Sequence, residues 1–200
     1  MRKYIAEMFG TFTLCFSVLL SVSGQSTIPT PLLAALCLTL FVYTIGNISG
    51  AHINPAVTIG LLSLKKIKLD EAIKYIMFQF FGAVLALSFL NLLQITEPRP
   101  MPTGGYPEFF AETIGMAVFT FGIASVVFGN APGFVVGGSL LLGISISALI
   151  GSAGILNPAV ALVLTAFQPA YILGEVIGSI LGFGFYNYLS KPTAFKKKSN

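Results

Sequence analysis

The tetrapeptide Asn-Pro-Ala-Val occurs twice in this chain of 200 residues, at positions 54–57 and 157–160. Asn is a favoured N-cap residue, and Pro at the first helical position gives up no hydrogen bond that the helix needs. Each copy therefore predicts the start of a helix. Because one short motif appears in both halves of the chain, we expect two copies of one structural site.

The helix after the first copy is too short to cross a membrane. It runs for about ten residues before the first lysine, or about 15 Å, against a hydrocarbon core of about 30 Å. Non-helical backbone at that depth must be buried in protein or line a wet cavity, so segments 50–53 and 153–156 should present carbonyls to a pathway. Two such helices entering from opposite faces bring their positive ends together, which repels cations. The predicted pore carbonyls are those of Ala51, His52, Ile53, Gly154, Ile155 and Leu156.

Composition places the chain among membrane proteins with several spans. Hydrophobic residues make up 55% of it and charged residues 9%, and its mean hydropathy is +0.88, which predicts a single membrane domain over 1–200. The net charge of +4 comes from basic residues at the ends and in one loop, so nucleic acid is not an expected partner. No nucleophile–base pair, phosphate loop or metal-ligand cluster occurs in the sequence. We therefore predict no enzyme activity, no cofactor and no metal site.

Six apolar spans surround the two short helices. They cover 4–23, 31–48, 70–93, 107–128, 133–150 and 169–189. The first span could also be a signal peptide, but Glu7 lies inside it and its surroundings are copied later in the chain, which a cleaved segment would not require. The irregular connection 94–107 divides the chain into repeats of about 1–93 and 107–190, followed by a basic tail at 191–200.

The two repeats match at three places. Ala-Glu-x-x-Gly occurs at Glu7 and Glu112, the tetrapeptide at 54 and 157, and Tyr-Ile-x-x-(Gln/Glu)-x-x-Gly at Gln79 and Glu175, with offsets of 105, 103 and 96 residues. Three spans per repeat is an odd number, so the second repeat must be inverted relative to the first. In this scheme ten of the eleven basic residues lie on one side and only Arg99 on the other, which predicts cytoplasmic termini.

These motifs resemble the aquaporin, or major intrinsic protein, family over essentially the whole chain. The resemblance implies an all-α membrane protein with six transmembrane helices and two re-entrant half-helices. It also implies one pore per subunit, a homotetramer in the cell (plasma or inner) membrane, and passage of water and small uncharged solutes. The motif residues that it places in the pore are Asn54, Pro55, Ala56, Asn157, Pro158 and Ala159.

Asn54 and Asn157 each carry an amide NH2 that can donate to the oxygen of a permeating molecule. A water that accepts from both amides cannot also accept from a neighbouring water, so a proton wire is interrupted there. His52, the single histidine, lies two residues before Asn54. We expect it to line the pore rather than to bind a metal, since it has no neighbouring ligands.

Three carboxylates lie within the spans, where they are costly. By resemblance, Glu7 and Glu112 support the half-helix loops by accepting their backbone N–H groups. Glu175 differs from its repeat partner Gln79, and similar proteins commonly carry Pro there. Two interpretations remain for Glu175: a hydrogen-bonded packing residue, or a proton relay.

Counting from the two motifs places the family's selectivity filter on Ala34, Ser145, Gly154 and Val160. Val160 stands where water-selective members carry Arg, and it brings neither the charge nor the five donors of that residue. We expect a wide filter suited to glycerol, urea, ammonia or undissociated metalloid acids. The alternative is an ion- or proton-coupled transporter or ion-conducting relative that uses Glu175.

Overall fold

In the computed structural model the described residues, 1–96 and 104–191, form eight helices. They are α1 (Arg2–Val22), α2 (Thr30–Ser49), α3 (Pro55–Ser63), α4 (Leu69–Leu92), α5 (Tyr106–Val127), α6 (Phe134–Ile150), α7 (Pro158–Val163) and α8 (Pro169–Leu189). Arg99 and the lysines at 196–198, used above to predict orientation, lie outside the described residues.

Five of these helices, α1, α2, α4, α5 and α8, are long and apolar enough to cross a membrane. The sixth predicted span is α6, which is apolar and has 17 residues, or about 26 Å of helix. That length is at the lower end of the range for a membrane span. The helices α3 and α7 have 9 and 6 residues and can only enter the bilayer, as the repeated motif predicted.

The helix ends follow from the sequence. Asn54 and Asn157 cap α3 and α7, with Pro at the first position of each helix. Gly50 and Gly151 end α2 and α6 in the left-handed conformation, with φ of 90° and 112°, which glycine adopts without steric cost. Both spans therefore stop just before a re-entrant loop.

The two repeats use the same helix packing. In the first, α1 packs on α4, and in the second, α5 packs on α8. A Cβ at Gly82 would overlap the Met8 carbonyl oxygen, and one at Gly178 would overlap that of Thr113, so a glycine permits each close crossing. Helices α2 and α6 contact each other and join the repeats.

The half-helices lie between the repeats. Helix α3 contacts α4, α8 and α7, whereas α7 contacts α1, α4, α8 and α3, so each half-helix packs against both halves of the chain. The predicted fold of six spanning and two re-entrant helices is thus confirmed. Large apolar side chains such as Leu40, Phe81 and Leu149 are exposed on the outside, as a lipid-facing surface requires.

Candidate pore

The two re-entrant loops have the same unusual backbone. Ala51 and Ile53 have φ of 50° and 37°, and Gly154 and Leu156, each 103 positions later, have φ of 67° and 53°. Left-handed backbone is rare for residues other than glycine and least favourable for β-branched ones such as Ile53. Strain of this kind persists only where the surroundings hold it, and in this chain two carboxylates do so.

Glu7 and Glu112 hold the loops through matching hydrogen bonds. Glu7 accepts from the backbone N–H of His52 at 3.0 Å and of Ile53 at 2.6 Å. Glu112 accepts from Ile155 at 3.1 Å and Leu156 at 2.8 Å. In a trans peptide the preceding carbonyl points the opposite way from the N–H. Carbonyls at positions 51, 52, 154 and 155 therefore point away from the carboxylates.

The two asparagines cross-link the loops where the half-helices meet. Asn54 Nδ2 donates to the Leu156 carbonyl at 2.8 Å, and Asn157 Nδ2 donates to the Ile53 carbonyl at 3.0 Å. Their Oδ1 atoms accept from Ala56 and Ala159 N–H, at 2.9 and 3.0 Å. Each amide NH2 has two hydrogens, so one remains on each asparagine for a permeating molecule.

Two cavities lie on either side of the loops. We name them the Val160 cavity, of about 220 Å³, and the Lys66 cavity, of about 200 Å³. Leu38, His52 and Phe119 line both, so the two cavities adjoin at these residues. Both asparagines line the Val160 cavity. Proline and alanine of each motif are buried at the helix starts.

Predicted carbonyl residues are divided between the cavities. Ala51 and His52 line the Lys66 cavity, and His52, Ile53, Gly154 and Ile155 line the Val160 cavity. Leu156 is buried, and its carbonyl accepts from Asn54. This carbonyl therefore holds Asn54 in place, as the Ile53 carbonyl holds Asn157.

Three of the four predicted filter residues, Ala34, Gly154 and Val160, line the Val160 cavity. The structure differs at Ser145, which is exposed and donates its hydroxyl to the Leu141 carbonyl at 2.8 Å. Ile144 lines the cavity instead. Neighbouring side chains on an α-helix point in directions about 100° apart. A count that is off by one position therefore selects a residue that does not line the cavity.

The wall of the Val160 cavity is largely apolar. Thr30, His52, Asn54 and Asn157 are its polar side chains, and no charged side chain lines it within the described residues. In the other cavity, Lys66 contributes a charge, with its Nζ 4.8 Å from the centre of the Phe128 ring. Sequence reasoning did not select Lys66, because nothing in the loop sequence indicates that its side chain faces the pathway.

A polar network supports the first loop, and the sequence did not predict this network either. His52 Nδ1 lies 3.1 Å from Thr58 Oγ1, and Gln79 Nε2 donates to Thr58 Oγ1 at 3.0 Å and to Glu7 Oε2 at 2.8 Å. Gln79 and Glu7 are completely buried. A matching spacing in both repeats marked Gln79, but only the fold shows that Thr58 completes the chain of contacts.

The second loop has a different set of partners. Ser152 donates its hydroxyl to Glu112, and Glu175 accepts from the Asn157 backbone N–H at 3.0 Å. Glu175 is completely buried. Among the described residues, no group of three or more His, Cys, Asp or Glu side chains is placed to hold a metal ion.

Comparison with known proteins agrees with this architecture. The model of the major intrinsic protein family (MIP) matches residues 1–127. Nodulin-26 of Glycine max is 31% identical across 100% of this chain and 83% of its own length. Aquaporin AqpM of Methanothermobacter thermautotrophicus is 31% identical across 94% of this chain and 97% of its own.

One further relative is named as a glycerol facilitator, and one solved structure is named as an aquaglyceroporin. Glycerol uptake facilitator protein-like 6 of Lactiplantibacillus plantarum is 33% identical across 90% of this chain and 94% of its own. The solved aquaglyceroporin of Plasmodium falciparum has a TM-score of 0.73 at 22% identity, over 93% of this chain and 95% of that one. This similarity shows that the two chains share a fold.

The chain belongs to the major intrinsic protein family. It is a multi-pass membrane protein and a passive channel for water and small solutes, not an enzyme. A coupled transporter that uses Glu175 is not favoured by this membership.

Proposed function

We propose that this channel admits uncharged solutes larger than water, such as glycerol, urea, ammonia or undissociated metalloid acids. The observation that carries the proposal is the wall of the Val160 cavity, which contains the predicted filter residues Ala34, Gly154 and Val160, with Ile144 in place of the predicted Ser145. None of the four lining side chains carries a charge or a hydrogen-bond donor. A solute there meets apolar surface and loop carbonyls rather than a fixed cation.

Exclusion of cations and protons then depends on the meeting point of the half-helices. The positive ends of α3 and α7 converge at Asn54 and Asn157, and each asparagine keeps one hydrogen for the pathway. A filter arginine would add to this exclusion. Without one, exclusion depends mainly on the two asparagines and the two helix ends.

The names of two relatives support a solute larger than water. One is a glycerol uptake facilitator-like protein and another an aquaglyceroporin. Other relatives are named aquaporins, so water is a shared candidate. The side chains at Val160 and Ile144 favour the wider range for this chain.

We further propose that 1–200 is one channel domain, with repeats at about 1–93 and 107–190, and that it works as a homotetramer in the plasma or inner membrane. The concentration of basic residues near both ends of the chain and in the loop after α3 supports cytoplasmic termini and a Lys66 cavity on the cytoplasmic side. The Val160 cavity then opens to the outside.

The test is Val160→Arg in proteoliposomes, with Val160→Met as the matched control for size. Arg adds charge and donors to the filter, so glycerol and urea rates should fall at least about tenfold, equivalent to about 1.4 kcal/mol, while some water flux remains. Val160→Met should reduce these rates less. Stopped-flow light scattering measures both, and unchanged solute rates in Val160→Arg would contradict this placement of the filter.

A further inference from the structure

Glu175 differs from the other two buried carboxylates in how few donors reach it. Glu7 accepts from two backbone N–H groups and from Gln79. Glu112 accepts from two backbone N–H groups and from the Ser152 hydroxyl. Glu175 accepts only from Asn157 N–H, and within residues 1–96 and 104–191 its second oxygen, Oε2, has no partner although the residue is completely buried.

The first repeat shows which contact is missing. Gln79, the repeat partner of Glu175, uses its amide hydrogens to reach Glu7 at 2.8 Å and Thr58 at 3.0 Å. The corresponding residues in the second repeat are Glu112 and Ala161. Ala161 has no hydroxyl, and a carboxylate has no hydrogen to give. A Glu175–Glu112 contact equivalent to Gln79–Glu7 therefore requires a proton.

The helices packed around Glu175 provide no cation that could neutralise both carboxylates. Glu175 accepts from Asn157 N–H and Glu112 from the adjacent Leu156 N–H, so the two groups are neighbours. Helix α8 packs on α3, α5 and α7, and none of these four helices contains Lys, Arg or His. The titratable groups on these four helices, apart from Glu175 itself, are Glu108, Glu112, Tyr106, Tyr171, Tyr186 and Tyr188. Two adjacent buried negative charges without a positively charged group beside them are strongly disfavoured.

We propose that Glu112 and Glu175 share one proton, so that the pair carries a single negative charge, as Glu7 and Gln79 do together. In this arrangement Glu112 continues to hold the second loop. Glu175 is a positioning residue, which fixes the Asn157 backbone without adding a second charge next to the pore. The proposal concerns the support of the asparagine and holds whichever solute passes.

Infrared spectroscopy of the purified channel in lipid tests the shared proton. Wild type at neutral pH should show the carbonyl band of a protonated carboxylic acid, with its shift in heavy water. The band should disappear in Glu175→Gln and also in Glu112→Gln, because an amide supplies the hydrogen in either position. Glu7→Gln, the same change in the other repeat, should keep it. Absence of the band in wild type, or its survival in either of the first two variants, would overturn the proposal.

A second variant keeps the test open if Glu112→Gln does not fold. Gln79→Glu builds the same carboxylate pair beside Glu7 and should add a second protonated carboxyl to the spectrum. An unchanged spectrum in folded Gln79→Glu would contradict the reasoning from the repeats.

Permeability separates this role from that of a proton relay. Glu175→Gln should keep water and solute rates within about a factor of two of wild type from mildly acidic to mildly alkaline pH, because the amide oxygen still accepts from Asn157. Glu175→Ala should lose several-fold, since a buried N–H is left unpaired. A pH-dependent flux in wild type that Glu175→Gln abolishes would overturn the positioning role.

Discussion

The first and second re-entrant loops share a backbone but not the side chains behind it. Left-handed residues occur at matching positions, and Glu7 and Glu112 bind matching N–H groups. Behind the first loop lie His52, Thr58 and Gln79, whereas the second has Ile155, Ala161 and Glu175 at the same positions. The paired carboxylates therefore support the backbone that the loops share, whereas the side chains around them can differ between the repeats.

The largest effect is expected when either loop loses its carboxylate. Glu7→Ala and Glu112→Ala each leave two buried N–H groups unpaired, at about 1–3 kcal/mol each, a large part of total stability. We expect both variants to give a lower yield of monodisperse protein or a much lower unfolding temperature than wild type. The loss should be similar in the two variants. The measurement is thermal unfolding followed by size-exclusion chromatography.

The control for this comparison is Glu71→Ala, which removes a carboxylate paired with Lys3 near the surface. Exposed ion pairs contribute little, so this variant should resemble wild type. If Glu7→Ala or Glu112→Ala is as stable as Glu71→Ala, the loops are held by something else.

A large effect on selectivity is expected from a negative charge at the meeting point. Asn54→Asp and Asn157→Asp keep the capping oxygen but lose the amide that donates to the opposite loop. Each adds a carboxylate where the helix ends repel cations, so sodium or proton leak should rise about tenfold, or about 1.4 kcal/mol. Fluorescent ion-leak assays measure it, and Asn47→Asp, at an exposed site, is the control. A large leak in only one of the two variants would break the equivalence of the loops.

A smaller effect should distinguish the two networks. Thr58→Val keeps the shape of the side chain but removes the hydroxyl that contacts His52 and Gln79. We expect a loss of about 1 kcal/mol in unfolding experiments. Thr44→Val removes an exposed hydroxyl that donates to the Leu40 carbonyl of its own helix, and this change should be nearly neutral. Equal stability of the two variants would show that the Thr58 network contributes nothing.

The smallest effect is expected at Lys66. Its contact with Phe128 is exposed and contributes about 0.5–1 kcal/mol, so Lys66→Met should fold normally. Cation leak should rise by less than about tenfold, and the increase should shrink as salt screens the charge. Lys65→Met is the control. A leak larger than that of the asparagine variants would show that the main barrier to cations lies in the Lys66 cavity.

Much of the fold could be predicted from the sequence because its signals are periodic or duplicated. The repeated Asn-Pro start predicted both half-helices, and apolar length predicted the spans. The matching glutamates predicted the loop supports only through resemblance to the family. In the structure these glutamates accept from the backbone N–H groups of His52, Ile53, Ile155 and Leu156.

Features that depend on helix rotation or on contacts between distant elements could not be predicted in this way. Ser145 was assigned to the filter by counting from the second motif, and an error of one position is enough to select it instead of Ile144. Thr58, Gln79 and Lys66 meet other groups only after α3, α4 and the following loop are packed. The orphan oxygen of Glu175 is visible only when its surroundings are known.

The central claim is that two half-helices meet to form a passive pore for uncharged molecules. Stopped-flow light scattering of proteoliposomes, with a proton-leak dye in parallel, tests it most directly. We expect faster entry of water and of glycerol or urea than in empty vesicles, a flux that follows the solute gradient alone, and no added proton leak. Vesicles no more permeable than empty ones to every neutral molecule tried, or a flux driven by a proton gradient, would contradict it.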